Sequence, residues 1–171
     1  MRIVRFLRRK LGEAEIWVSL AVAWVLVRFV PFNWWRKTIG PIGEEGMPAL
    51  RVDEAATRRA YGLGRAVERI ADRAWFAPVC LPRAIAARWM LNRRGIPSRI
   101  VFGSRRNDDP EGRKLLFHAW LKVADVVVTG AQGHHAFMPF EKRSTENSSD
   151  KSPAEDRPES EISDAIATRK F

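Results

Sequence analysis

Residues 80–97, CLPRAIAARWMLNRRGIP, decide the reading of this chain. Pro82 suits the first turn of a helix, Leu81, Ile85 and Trp89 recur every four residues, and Gly95 with Pro97 supplies the stop. The stretch therefore predicts a helix from about Leu81 to Arg94. Cys80, the single cysteine of the chain, falls at or just before its first turn. There the unpaired backbone N–H groups and the positive end of the helix dipole favour a thiolate. On position alone the residue reads equally well as a small buried hydrophobe, and the sequence that follows is what separates the two.

That sequence alternates as a sheet does. Arg99 to Gly103 reads as a strand, residues 104–114 as a polar loop, and Leu115 to Val123 as a second strand. In the second strand His118, Trp120 and Lys122 share the polar side, and Phe117, Ala119, Leu121 and Val123 the apolar one. A tight turn at Ala124 and Asp125 leads into a third strand, Val126 to Thr129. The result is an antiparallel meander behind a helix, an α+β fold. A helix packed on such a sheet can bring Cys80 to His118, the pairing of a thiol nucleophile with its base.

Upstream, Asp53 is a plausible N-cap for a helix through about Arg73, with Glu54 in its first turn and Leu63, Val67 and Ile70 as its apolar stripe. Gly62 and Gly64 each weaken that helix by about 1 kcal/mol relative to Ala, and are candidate points for another element to cross closely. Residues 40–50, GPIGEEGMPAL, read as a connector. The opening MRIVRFLRRK is basic, and residues 16–30 are apolar apart from Ser19 and Arg28. Pro31, Phe32, Trp34 and Trp35 stand where a signal peptide would carry a small-residue cleavage site, so the segment is expected to be retained. It is too short, and has an arginine too near its end, to span a bilayer. It suits a helix packed on the domain's own core, or one lying against a membrane surface or a partner. Residues 141–171 are rich in Ser, Glu, Asp and Pro, and are expected to be disordered. The organisation expected is an N-terminal helix and connector over 1–50, a catalytic domain over 51–140 and a tail over 141–171.

Composition narrows the chemistry. The net charge of +10 is concentrated in residues 1–140, where Lys and Arg outnumber Asp and Glu two to one. Such a field attracts anions of many kinds, yet no helix-turn-helix, zinc-finger or aromatic ribonucleoprotein pattern accompanies it, and no nucleic-acid partner is expected. One cysteine rules out an internal disulfide framework and suits a reducing, cytoplasmic compartment. There is no P-loop and no G-x-G-x-x-G run, so no cofactor is expected. His134 and His135 would face opposite sides of a strand, a poor arrangement for a metal.

The run WFAPVCLPRAIAARWMLNRRGIPSRIVFGS (75–104), followed by FHAWLKV (117–123), resembles the transglutaminase-like domain of lasso-peptide biosynthesis B proteins, the leader peptidases of these pathways. The resemblance covers roughly residues 5–140. Its specific parts are CLxxA, the RRGIPxRIVxG helix-to-strand junction and HAW. It implies a papain-like or transglutaminase-like fold with Cys80 as nucleophile and His118 as base. It also implies a precursor leader peptide as substrate, and as partners a leader-recognition protein and a lasso cyclase related to asparagine synthetase. With a short hydrophobic segment ahead of the core helices, the chain resembles the standalone form, which has no fused recognition domain. A membrane-facing N-terminal helix would place it at the inner face of the membrane.

The family's triad ends in an acid about a dozen positions after the histidine, where this sequence has Gly130 and Ala131. Pairing Val123 with Val126 sets His118 opposite Ala131, and a slip of one residue brings Gln132 there instead. Asp125, at the turn, is some 20 Å along the strand from His118 at about 3.3 Å per residue. Gln132 is therefore the expected third member, a neutral amide in place of a carboxylate. The alternative, favoured by the missing acid and the apolar N-terminus, is a non-catalytic or degenerate member of the same fold, membrane-associated or acting as a scaffold.

Overall fold

The computed structural model describes residues 2–39, 51–107 and 114–140. The connector over 40–50 and the tail over 141–171 lie outside the described residues. Helices α1 (Arg2–Phe29), α2 (Phe32–Ile39), α3 (Glu54–Ala71) and α4 (Cys80–Asn92) precede strands β1 (Arg99–Arg106), β2 (Leu115–Val123) and β3 (Val126–Thr129). A 3-10 turn (His134–Ala136) and a short β4 (Met138–Pro139) follow. Together these form a small antiparallel sheet, ordered β3-β2-β1-β4, with the helices packed on it.

Helix α4 is the axis of the fold. Leu81, Ala84, Ile85, Ala86, Ala87, Met90 and Leu91 are all buried, so it is apolar nearly all round, as a helix enclosed by other elements must be. The four-residue stripe is too narrow a description: Trp89 is only partly buried, and the small residues between stripe positions let α1, α3 and the sheet approach together. The helix starts at Cys80 and ends two residues earlier than the sequence predicts. It is closed by Ile96 N–H donating to Leu91 O at 3.0 Å. From within the helix, the buried Arg88 donates to Ser98 O at 2.8 Å and ties α4 to the start of β1.

The N-terminal segment shares this core. Ile16, Leu20 and Ala23 of α1, with Trp35 and Ile39 of α2, belong to the same buried cluster as α3, α4 and the sheet. Glu15 fastens α1 to the end of α4 by ion pairs with Arg93, at 2.8 Å, and with Arg94. The other side of α1 exposes Leu11, Val18, Val22, Val25 and Phe29. None of the helices among the described residues is long and apolar enough to cross a membrane. The hydrogen bond to Arg94 dominates the Glu15 carboxyl, overcoming burial, and with Arg93 holds it at about 2 against an ordinary 4.5. Its stabilisation is therefore complete above pH 4.5 and lost as pH falls through 2. Glu15→Gln is expected to abolish that acid-dependent step and to speed amide exchange in α1 at neutral pH. Exchange measured across pH 2–7 checks both.

Asp53 caps α3, its carboxylate accepting Ala56 N–H. Of the two α3 glycines, only Gly64 marks a close crossing. A Cβ there would lie 2.1 Å from the Val128 carbonyl oxygen, whereas one at Gly62 meets nothing within 4 Å. Strand β1 extends three residues past Gly103, because Ser104–Arg106 pair with Phe117–Leu115. Val123 pairs with Val126 as the turn at Ala124–Asp125 requires. A bulge at Val128 then sets Leu121 against Thr129, and the pairing ends there, short of Ala131 and Gln132. Ala119, Leu121 and Val123 face the helices. The opposite, supposedly polar side is covered as well: Trp120 is buried, its ring against those of His118 and His134 from the segment folding back over the sheet.

Candidate active site

Cys80 is partly buried at the first residue of α4. The N-cap before it, Val79, offers no side-chain hydrogen bond to the helix start. His118, from the middle of β2, hydrogen-bonds the Cys80 side chain. Helix and strand thus bring together the two residues singled out in the sequence.

The ring's other contact is a backbone carbonyl: His118 Nε2 lies 2.8 Å from Gly130 O. A carbonyl can only accept, so Nε2 carries the hydrogen in the neutral ring and Nδ1 is left as the acceptor for the thiol. Gly130 takes the place expected of Gln132, whose side chain is exposed on the cleft wall and does not hold the ring. The reason is local backbone geometry. Gly130 has φ +72°, and a Cβ there would meet Ala119 O at 2.7 Å. The chain turns out of the sheet at this residue, and its carbonyl swings to the imidazole before residue 132 is reached.

Behind Gly130 stands a carboxylate from α3. Glu68 Oε1 accepts the Gly130 N–H at 2.8 Å, and Oε2 accepts from Arg83 Nη1 at 2.6 Å. Arg83 also donates to Asp72 at 2.7 Å and, through Nε, to Pro78 O at 2.7 Å, just ahead of Cys80. Burial lowers the Arg83 pKa, but the bonds to Glu68 and Asp72 more than offset it, and the net shift is upward. Sequence spacing around the histidine gave no hint of Glu68. The available signal was its place one helical turn beyond Gly64, the glycine that lets α3 approach β3.

These residues line one open cleft of about 600 Å³, walled by Tyr61, Arg65 and Arg69 of α3 and by Phe117 and Phe137 across from them. The Cys80 hydrogen bond is the largest influence on His118. Burial opposes it, and the Gly130 carbonyl and the charges of Cys80 and Glu68 assist, so the ring binds its proton more tightly than the ordinary 6.5. The stabilisation from this ring is accordingly whole below pH 6.5 and lost as pH rises through the raised value. Cys80→Ala removes the leading cause, and the His118 midpoint is expected to fall. An NMR titration of the ring C–H signals in both proteins checks this, and an unchanged midpoint would mean the thiol is not coupled to the ring.

His134 and His135 lie in a 3-10 turn rather than a strand, with ring centroids 3.7 Å apart. The two adjacent rings therefore lie against each other, tilted by 41°, instead of facing opposite ways. Among the described residues no group of three or more His, Cys, Asp or Glu could hold a metal ion.

A family model described as the transglutaminase-like superfamily matches residues 24–142. No curated protein and no solved structure matches the chain.

Proposed function

Because the chain belongs to the transglutaminase-like superfamily, whose members are commonly cysteine proteases, we propose that it is a cysteine peptidase that removes the leader from a ribosomally made lasso-peptide precursor. The observation that carries the chemistry is the Cys80–His118 hydrogen bond at the start of α4, with the far side of the ring held by Gly130. Cys80 loses its proton to Nδ1 and its sulfur adds to the scissile carbonyl carbon. The first turn of α4 is the nearest set of backbone donors for the resulting oxyanion. Collapse breaks the C–N bond, Nδ1–H protonates the departing amine, and water hydrolyses the thioester with His118 again as base. No step requires a metal or cofactor.

The peptide class rests on the sequence resemblance in residues 75–104 and 117–123, and an open cleft suits an extended chain better than a buried small molecule. A leader-recognition protein and the asparagine-synthetase-like cyclase are the partners proposed, with the cytoplasm as the compartment. The scaffold alternative rests on the missing acid and the apolar N-terminus; a backbone carbonyl and Glu68 stand where that acid is missing, and Ile16, Leu20 and Ala23 of the N-terminal helix are packed into the core, which favours the peptidase reading.

The test is reconstitution. The chain, a lasso precursor and its recognition protein are incubated together and followed by mass spectrometry. Two fragments whose masses sum to precursor plus one water are expected. An intact precursor beside a Cys80 that reacts with iodoacetamide no faster than a free thiol would overturn the peptidase reading.

A further inference from the structure

The triad acid absent from its usual place after the histidine has a counterpart on another element. We propose that Glu68 of α3 is the positioning residue for His118, acting through Gly130 rather than touching the ring. This rests on the Cys80–His118 reading and deepens it.

Both polar groups of Gly130 are engaged. Its N–H is held by Glu68 Oε1 and its carbonyl holds His118 Nε2, each at 2.8 Å. A residue with φ +72° and no side chain has no packing of its own to fix that carbonyl, so the carboxylate fixes it. Glu68 is in turn oriented by Arg83 at 2.6 Å, and Arg83 also grips the backbone leading into Cys80 through Pro78 O. One arginine thus sets both the nucleophile's approach and the acid's orientation, and the chain of bonds starts and ends on α4.

Charge points the same way. Two carboxylates, Glu68 and Asp72, share one guanidinium, Arg65 and Arg69 add positive charge to the same cleft, and of these groups it is the Glu68 carboxylate whose charge helps the ring hold its proton. That charge favours the imidazolium as a triad carboxylate would, though at longer range. The charged and titratable groups around the ring are Cys80 and Arg83 from α4, and Tyr61, Arg65, Glu68, Arg69 and Asp72 from α3. On the covering segment are His134, against Trp120, and Phe137, which Arg105 of β1 overlies. None of these except Glu68 connects to the ring through Gly130.

The readout is Cys80 alkylation by iodoacetamide in the full chain as a function of pH, which needs no substrate. Glu68→Gln keeps an oxygen for the Gly130 N–H and removes the charge. It is expected to move the profile about half a pH unit to the alkaline side, about threefold slower at pH 7. Glu68→Asp keeps the charge but is too short to span to Gly130, and should fall between the two. Asp125→Asn removes an exposed carboxylate at the β2–β3 turn and should leave the profile unmoved. A Glu68→Gln profile matching the unsubstituted chain, or an equal shift in Asp125→Asn, overturns the assignment. If Glu68→Gln does not fold, Glu68→Asp decides alone, and an unshifted profile overturns it. Rapid alkylation in the unsubstituted chain together with silent Glu68 variants would reject Glu68 and leave the thiol mechanism standing. Slow alkylation throughout would reject the thiol mechanism first.

Discussion

On the proposed peptidase chemistry, alanine at Cys80 or at His118 will stop leader removal, with losses of about 10³-fold or more in either case. Without the sulfur no thioester forms. Without the ring, the thiol has no base and the leaving amine no acid, and the Gly130 carbonyl that held Nε2 turns to water. The two losses will not add, because the residues act as one unit. Cys80→Ala removes one partly buried sulfur and should leave the unfolding transition close to that of the parent. His118→Ala also removes ring contacts with Trp120 and Phe137, so its activity is best read beside a thermal melt. Cleavage by mass spectrometry decides: undiminished turnover in either folded variant rejects the mechanism.

Gly64→Ala will be the most disruptive small change in the fold. The added Cβ would sit 2.1 Å from Val128 O, 2.5 Å from Val128 Cγ1 and 2.8 Å from Val128 C. Two of these are backbone atoms of the bulged β3, which cannot rotate away as a side chain could. Either α3 and β3 separate or the bulge is rebuilt, at a cost of about 1–3 kcal/mol. Since Gly130 follows β3 directly, the same shift pulls it from Glu68 and His118, and Cys80 alkylation at neutral pH should slow in parallel. Gly62→Ala, two residues away with open space around it, should do the reverse and stabilise by about 0.5–1 kcal/mol through helix propensity. Opposite shifts in the two thermal melts are the expected result. Equal shifts would mean that α3 and β3 are not in contact at Gly64.

The elements carrying Cys80 and His118 were legible because their signals are local. A proline in a first turn, a glycine after a last one, and alternation along nine residues each depend only on neighbours in sequence. Even the β2–β3 hairpin follows from its turn at Ala124–Asp125, up to Val127. The reading failed where backbone geometry departs from regular pairing. The Val128 bulge changed the register, Gly130 left the sheet, and a carbonyl with no side chain to announce it took the position predicted for Gln132. Glu68 was hidden for a different reason. Its role comes from packing α3 against β3, and 62 residues separate it from Gly130. Strand β4 and the 3-10 turn were missed because two paired residues and three helical ones are too few to establish a period.

The loop of bonds that leaves α4 at Cys80 and returns to it at Arg83 also sets where the chain tolerates a change of length. Three residues separate the two, close to one turn of helix, so both face the same side. One residue inserted between them would rotate Arg83 about 100° around the axis relative to Cys80. The guanidinium would then be carried off Glu68 while the sulfur stayed in place, leaving a folded helix with a loosened histidine. Spacing between Cys80 and Arg83 is therefore as much a part of the proposed catalytic apparatus as the identity of either residue.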